Sequence, residues 1–382
     1  MSPNGVLLLY KALGRGGAEQ LLLNSARYLD TTDFRYEVAY IFSQHEDFVS
    51  DLRDAGLPVH CLGGREQAAW MGRLRALVRQ RKPKIVHTHS PYMAVGARLL
   101  LRRPRGPRLI HTEHNVWESY HPMTRRGNLL TFPLNDHVFA VSEHVRQSIR
   151  YPAALRFLPM PPLEALYHGL DLASMDGWER TDGIRESLGV PKHAPVIGTV
   201  ANFKPQKGHR YLLEAAVRIR QSFPEARFVL VGFGPLEGAL RRQARQLGLE
   251  DNVIFTGSRS DVPRLTASFD VFALPSIYEG LSIALVEALA VGTPAVVAKS
   301  GGVTEVVTHD VNGIVVPPRD SVALGNAIVS LLGDPPLQRR LVKAGRKRAR
   351  DFDIKAAVQR IEEVYRGPSR RPESVTSAGS PS

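Results

Sequence analysis

Apolar runs of strand length alternate with stretches of helical periodicity along most of the chain. Val6–Tyr10, Tyr36–Phe42, Ile85–His89 and Leu109–Glu113 read as strands, and helical patterns at about 48–55, 70–81 and 93–101 fall between them. After the prolines at Pro152, Pro159, Pro161 and Pro162 the alternation resumes. Val196–Val200, Phe228–Gly232, Asn252–Ser258, Val271–Leu274 and Ala295–Ala298 are further strand candidates. Continuous apolar runs of this kind suit parallel strands covered on both faces, and strands alternating with helices predict an α/β fold of two doubly wound, Rossmann-like sheets. The predicted domains are 1–165 and 191–350, with a linker at 166–190. A final helix over 351–366 and a Ser/Pro/Gly-rich disordered tail at 367–382 complete the chain.

The segment Asp270–Pro318 carries the most chemistry: an apolar strand, the loop P-S-I-Y-E-G-L-S, a helix from about Ser282 to Val291, and a second apolar strand. The helix start offers the backbone N–H groups of Gly280, Leu281 and Ser282 and the positive end of a dipole, a place for a phosphate. Glu279 stands just outside that end. Glu287 stands inside a helix of Leu, Ala and Val, where a carboxylate needs partners such as vicinal sugar or ribose hydroxyls. The bland reading of the same pair is a loop carboxylate and the exposed face of an amphipathic helix.

Two other loops join a strand to a helix. Gly14–Glu19 is glycine-rich after the first strand, and Lys207 lies between Val196–Val200 and a helix beginning near Gly208, placed for an anionic ligand. Histidines gather at the ends of two early strands, at His87, His89, His111 and His114. With Glu113 they open an alternative, a His/Glu metal-dependent hydrolase, although no defined ligand spacing such as H-E-x-x-H is present.

Composition narrows the class. The chain has 382 residues, 43% of them hydrophobic and 23% charged, a formal net charge of +13, and one cysteine, Cys61. Such a length holds two cored domains, a single cysteine excludes an intrachain disulfide, and no apolar run is long enough to span a bilayer. These features imply a cytoplasmic chain. Most of the positive excess falls before residue 165, including Arg98–Arg108, Arg125, Arg126 and Arg146, as either a solvated face or a basic surface near an acceptor site that meets anionic lipid. Without aromatic-basic interleaving or a known module, a nucleic-acid partner is not expected.

The ordered motifs resemble one family. E-x7-E after P-S-x-Y, followed by E-A-x-A-x-G-T-P and G-G-x-x-E, is similar to the glycogen-synthase-like retaining glycosyltransferases of the GT-B fold (glycosyl transferases group 1). The resemblance implies two domains facing a cleft, with the C-terminal helix crossing back to the first, and transfer of a sugar from a nucleotide-diphosphate sugar to an acceptor hydroxyl. It gives Glu279 the donor sugar, Glu287 the ribose, and Gly280, Leu281 and Ser282 the diphosphate. Glu305 matches a further motif position, and Gly16 and Gly17 match the family's G-G-A-E loop. His114 takes the place of a histidine beside the donor sugar, with His111 three residues before it. Lys207 matches a phosphate-neutralising lysine. Asn202 stands where the family has arginine, and Lys204 is a candidate replacement. H-G-L-D at His168–Asp171 resembles the family's linker. No cofactor is implied beyond the co-substrate. Expected partners are the nucleotide sugar, a sugar, lipid-linked or other hydroxyl acceptor, and an anionic membrane surface at the inner face. No metal is implied, and Asp351 and Asp353 fit a D-x-D only by their letters. A sugar-nucleotide epimerase of similar fold, or a module that binds donor without turnover, would carry much of the same pattern.

Overall fold

The computed structural model describes residues 3–14, 17–43, 48–63, 69–152, 158–167, 169–172 and 182–367. Two compact units emerge. The first takes Met1–Ala140, Ser148–Ala165 and the stretch from Val358 onward; the second takes Val141–Gln147 and Leu166–Ala357.

In the first unit seven parallel strands, β1 (Asn4–Tyr10), β2 (Phe34–Tyr40), β3 (Val59–Cys61), β4 (Ile85–Thr88), β5 (Arg108–Glu113), β6 (His137–Ala140) and β7 (Leu163–Ala165), lie in the order β3-β2-β1-β4-β5-β6-β7. The second unit has six, β8 (Val196–Val200), β9 (Arg227–Val231), β10 (Val253–Gly257), β11 (Val271–Leu274), β12 (Ala295–Ala298) and β13 (Ile314–Val316), in the order β10-β9-β8-β11-β12-β13. Both are doubly wound orders, reversing beside the first strand of each sheet, where ligands of such sheets collect at the strand ends.

The continuous apolar runs have a direct cause in the second sheet. Side chains alternate between two cores: Val271 and Ala273 of β11 enter one, Phe272 and Leu274 the other. Phe228 and Leu230 of β9 likewise oppose Val229 and Val231. With helices on both faces, neither set of positions is polar.

Predicted and observed elements coincide for β8, β11, β12 and the helix Trp70–Arg81. The sequence pattern passed over β3, β7 and β13. Each has three residues and sits at a sheet edge, too short a run to show a period; β3 and β7 are in addition only partly buried and interrupted by polar residues. It also passed over the helices Pro122–Thr131, Glu237–Gln246, Val262–Ala267 and Val303–Val306. The last helix, Ile354–Arg366, contributes its part from Val358 to the first unit. There Glu362 Oε1 accepts from the Tyr36 hydroxyl at 2.7 Å and from Asp30 N at 2.8 Å.

Candidate active site

The second unit's site grows from the loops after β8 and β11. After β8 the chain makes a short turn, Pro205–Lys207, then Gly208 at φ +67°, then the helix His209–Ser222. A Cβ at Gly208 would stand 2.1 Å from the Pro275 carbonyl oxygen, so the loop after β11 packs directly against the glycine. Ile277 N donates to Gln206 O at 2.8 Å and ties the two loops together. Lys207 and Glu279 meet as a result. Lys207 Nζ lies 2.7 and 2.8 Å from the two Glu279 carboxylate oxygens, and Ser276 Oγ donates to Oε1 at 2.7 Å. Glu279 and Ser276 are buried, while Lys207 keeps a quarter of its side chain exposed.

Beyond Glu279 the loop is fixed from the other side. Gly302 N donates to Glu279 O at 3.1 Å, and a Cβ on Gly302 would fall 1.7 Å from the Gly280 carbonyl oxygen. The helix itself is Ile283–Val291, one residue later than the pattern predicts, because Ser282 is the N-cap and its Oγ accepts from Leu285 N at 3.4 Å. The N–H groups of Gly280, Leu281 and Ser282 therefore lie outside the helix. Among the described residues they donate to no protein acceptor.

Glu287 is half-buried in this helix and has no hydrogen-bond or ion-pair partner among the described residues. Burial raises its carboxyl from the ordinary value to about 7. Glu305 contrasts with it. Its carboxylate accepts from Glu143 N at 2.8 Å, His144 N at 2.6 Å and the Tyr167 hydroxyl at 2.8 Å, all in the second unit. It caps the short helix Glu143–Ser148, a role the motif did not announce. Asn202 is half-buried and Lys204 is exposed. Lys204 lines a pocket with Arg210 and Arg319 that includes none of Lys207, Glu279 and Glu287.

In the first unit the histidines separate into two kinds. His87 is buried, with Nδ1 2.5 Å from the Tyr365 hydroxyl and Nε2 2.8 Å from Thr112 Oγ1. His111 is fully buried. Its Nδ1 lies 2.9 Å from Thr88 O and 2.8 Å from Thr88 Oγ1, and burial lowers its pKa although Glu113 stands 3.5 Å away. Burial alone would raise the Glu113 carboxyl, yet hydrogen bonds from His111, Tyr120 and Trp117 hold it below its ordinary value. His89 and His114 face outward by comparison. His89 stacks between Tyr10 at 4.4 Å and His87 at 4.3 Å, and its Nδ1 is 3.2 Å from Nε2 of the half-buried His114. No group of three His, Cys, Asp or Glu among the described residues is placed to hold a metal. Asp351 pairs with Arg348 at 2.7 Å, and Asp353 accepts from Lys355 N at 3.0 Å.

Gly17 opens the helix Gly17–Ser25, and a Cβ there would meet nothing within 4 Å; Gly16 and His168 lie outside the described residues. The basic stretch differs from expectation. Arg103, Arg105 and Arg108 join Arg75, Arg79, Lys82 and Lys84 around a concave surface of about 750 Å³. Arg108 opens β5, whereas His114 follows its end, so this surface is at the opposite end of the strand from His114. Arg98 is buried instead, bonded to Asn135 at 2.9 Å and Asn128 at 2.5 Å. Arg125 and Arg126 are exposed on the helix Pro122–Thr131 together with Met123 and Leu130.

Comparison with known proteins bears on the family and the fold. Residues 181–348 match the model of glycosyl transferases group 1, and residues 15–174 match glycosyltransferase family 4. A GDP-mannose-dependent alpha-(1-6)-phosphatidylinositol monomannoside mannosyltransferase of Mycolicibacterium smegmatis is 32% identical over 267 residues, 66% of this chain and 68% of that one. The UDP-Gal:alpha-D-GlcNAc-diphosphoundecaprenol alpha-1,3-galactosyltransferase of Escherichia coli is 26% identical over 302 residues, 76% and 77% of the two chains. The crystal structure of Anabaena HepE in complex with UDP-glucose superposes with a TM-score of 0.82 at 24% identity, covering 94% of this chain and 99% of that one, a likeness of fold.

Proposed function

This chain belongs to the group 1 glycosyl transferases of GT-B fold and is a glycosyltransferase, and from that premise we propose that it moves a sugar from a nucleotide-diphosphate sugar to an acceptor hydroxyl with retention of anomeric configuration. The observation that carries the reading is the Lys207–Glu279–Ser276 cluster standing directly before a helix start with open N–H groups. An ammonium has three N–H donors, and two point at Glu279, which leaves one for a phosphate oxygen. Lys207 and the N–H groups of Gly280–Ser282 would stabilise charge on the departing diphosphate. Glu279 would hold the donor sugar and Glu287 the ribose hydroxyls, while Asn202 would border the donor. Glu305 would act by seating the Glu143–Ser148 helix.

In the proposed step the bond from the anomeric carbon to the phosphate oxygen breaks. The acceptor oxygen bonds to that carbon on the same face, and its proton passes to the departing phosphate. The two relatives are named for alpha products, and an alpha product from an alpha-configured sugar nucleotide is retention. Protein cations supply the charge stabilisation, so no metal is required in this scheme. The E. coli relative acts on a diphosphoundecaprenol acceptor and the mycobacterial one on a phosphatidylinositol mannoside, which supports a lipid-linked acceptor in glycolipid or cell-envelope glycan synthesis. The helix Pro122–Thr131 suits contact with such a surface, since Met123 and Leu130 stand exposed beside Arg125 and Arg126. No helix among the described residues is long and apolar enough to cross a membrane, so contact would be peripheral.

The test is turnover and product anomer, read by NMR, across UDP-, GDP- and ADP-sugars with chelator present. Slow chelator-resistant release of sugar from one donor, with the starting anomer retained in the product, is expected. Release of an epimer from donor alone, or loss of turnover with chelator, would overturn the reading. Sedimentation with phosphatidylglycerol vesicles should fall several-fold in Met123→Asp/Leu130→Asp, and unchanged sedimentation would remove the membrane part.

A further inference from the structure

The pocket that takes Lys204 does not belong to the Lys207–Glu279 pair. It has a volume of about 590 Å³ and collects Lys204, Arg210 and Arg319 around the start of the helix His209–Ser222, with Gln243 from the neighbouring helix. No acidic side chain lines it. Lys204 and Arg319 are exposed and have no carboxylate partner among the described residues. Arg210 lies over the Tyr211 ring at 4.7 Å and only 3.9 Å from Glu214. The helix is fourteen residues long and has no side-chain cap, because its N-cap is Gly208. Three cations and an uncapped helix start make a concentrated positive end.

A second feature points to a ligand. His209, the first residue of this helix, also lines the pocket; it is 2% exposed, and neither ring nitrogen has a hydrogen-bond partner. Its ring meets Phe203 edge-on at 4.9 Å, which fixes its position without satisfying its polar atoms. A buried imidazole with both nitrogens idle is uncommon in a folded protein. Burial, and then the charge of Lys207, lowers its pKa to about 4, so it is the neutral ring that offers one N–H.

We propose that this pocket is a second oxyanion site, separate from the donor site, which binds a phosphate group between Lys204, Arg210 and Arg319 at the start of the His209 helix. The phosphate is either free inorganic phosphate or the phosphate of a small phosphorylated metabolite.

Inorganic phosphate and glucose 1-phosphate serve as probes, titrated into the full chain and followed by calorimetry and by the His209 ring nitrogen resonances. Saturable binding that moves the His209 resonances is expected, at least ten-fold weaker in Arg319→Gln. Tighter binding of the sugar phosphate would identify a metabolite site, and equal or tighter binding of phosphate an inorganic-phosphate site. Arg319 is exposed and unpaired, so the variant should unfold at the same urea concentration as the wild type. His209→Phe keeps the packing against Phe203 and should also weaken phosphate. Equal affinity in wild type and Arg319→Gln, or His209 resonances that do not move on binding, would overturn the proposal. Neither readout requires a nucleotide sugar, so failure of the donor assignment would leave it standing.

Discussion

The loops and strand ends of the two sheets both carry polar side chains and use them differently. In the first sheet His87 bonds Thr112, His111 bonds Thr88, and Glu113 accepts from Trp117 and Asn128, with His111 and Glu113 both fully buried. In the second, Lys207 stays a quarter exposed while paired with the buried Glu279, and among the described residues Glu287 has no partner and the N–H groups of Gly280–Ser282 donate to no protein acceptor. A closed network stabilises a fold. An open one is poised for a ligand that completes its hydrogen bonds. Within the histidine group itself burial differs, His111 being fully buried and His114 half-buried beside His89.

That contrast can be broken experimentally. Its largest expected effect is on turnover: Glu279→Ala and Lys207→Ala should each lower it roughly 10²- to 10³-fold, the range for removing one transition-state charge contact. Lys207→Ala leaves the buried Glu279 carboxylate without its cation and should also lower the urea midpoint, so turnover is read on protein shown to be folded by circular dichroism, and wild-type turnover in either would end the assignment of the open network. Next comes the pair His111→Ala and His114→Ala. The first should cost about 2–3 kcal/mol in urea unfolding, since it opens a cavity at a fully buried position and removes the ring bonded to Thr88, while Glu113 keeps Trp117 and Asn128. The second should leave the midpoint in place and lower turnover roughly ten-fold. Reversal of these two outcomes would show that the closed and open sets were misidentified.

Glu305→Ala tests a residue that lies in the second sheet's motif yet behaves like the closed set. Loss of the cap on Glu143 N and His144 N should cost roughly 1–2 kcal/mol of stability while donor affinity, read by calorimetry, changes less than three-fold. The smallest effect belongs to Glu287. Its folded pKa of about 7 lies above the ordinary 4.5, so the native state holds a proton that the unfolded chain releases between those values. Its contribution to stability is present below pH 4.5 and is lost as pH rises through 7. Glu287→Gln should therefore be about 1 kcal/mol more stable than wild type at pH 8 and equal to it near pH 4.5, because partial exposure reduces the full linkage. Ribose hydroxyls would bind the ionised form, so wild-type nucleotide affinity should rise between pH 6 and 8 and that of Glu287→Gln should not.

The sequence by itself determined the two doubly wound sheets, because buried parallel strands must be apolar on both faces and such runs stand out against amphipathic helices. It also marked Lys207, Glu279, Glu287 and the helix start at Ser282, since chain-local turns and caps leave local signatures. Tertiary structure alone decided what those residues touch. Lys207 reaches Glu279 only because Gly208 admits the Pro275 backbone, and Glu305 turns from a donor-site candidate into a cap because Val141–Gln147 returns to the second unit. The edge strands β3, β7 and β13 and the separation of His111 from His114 were likewise invisible in the sequence. Burial and partner choice depend on residues far apart in the chain, and no local pattern encodes which distant group arrives.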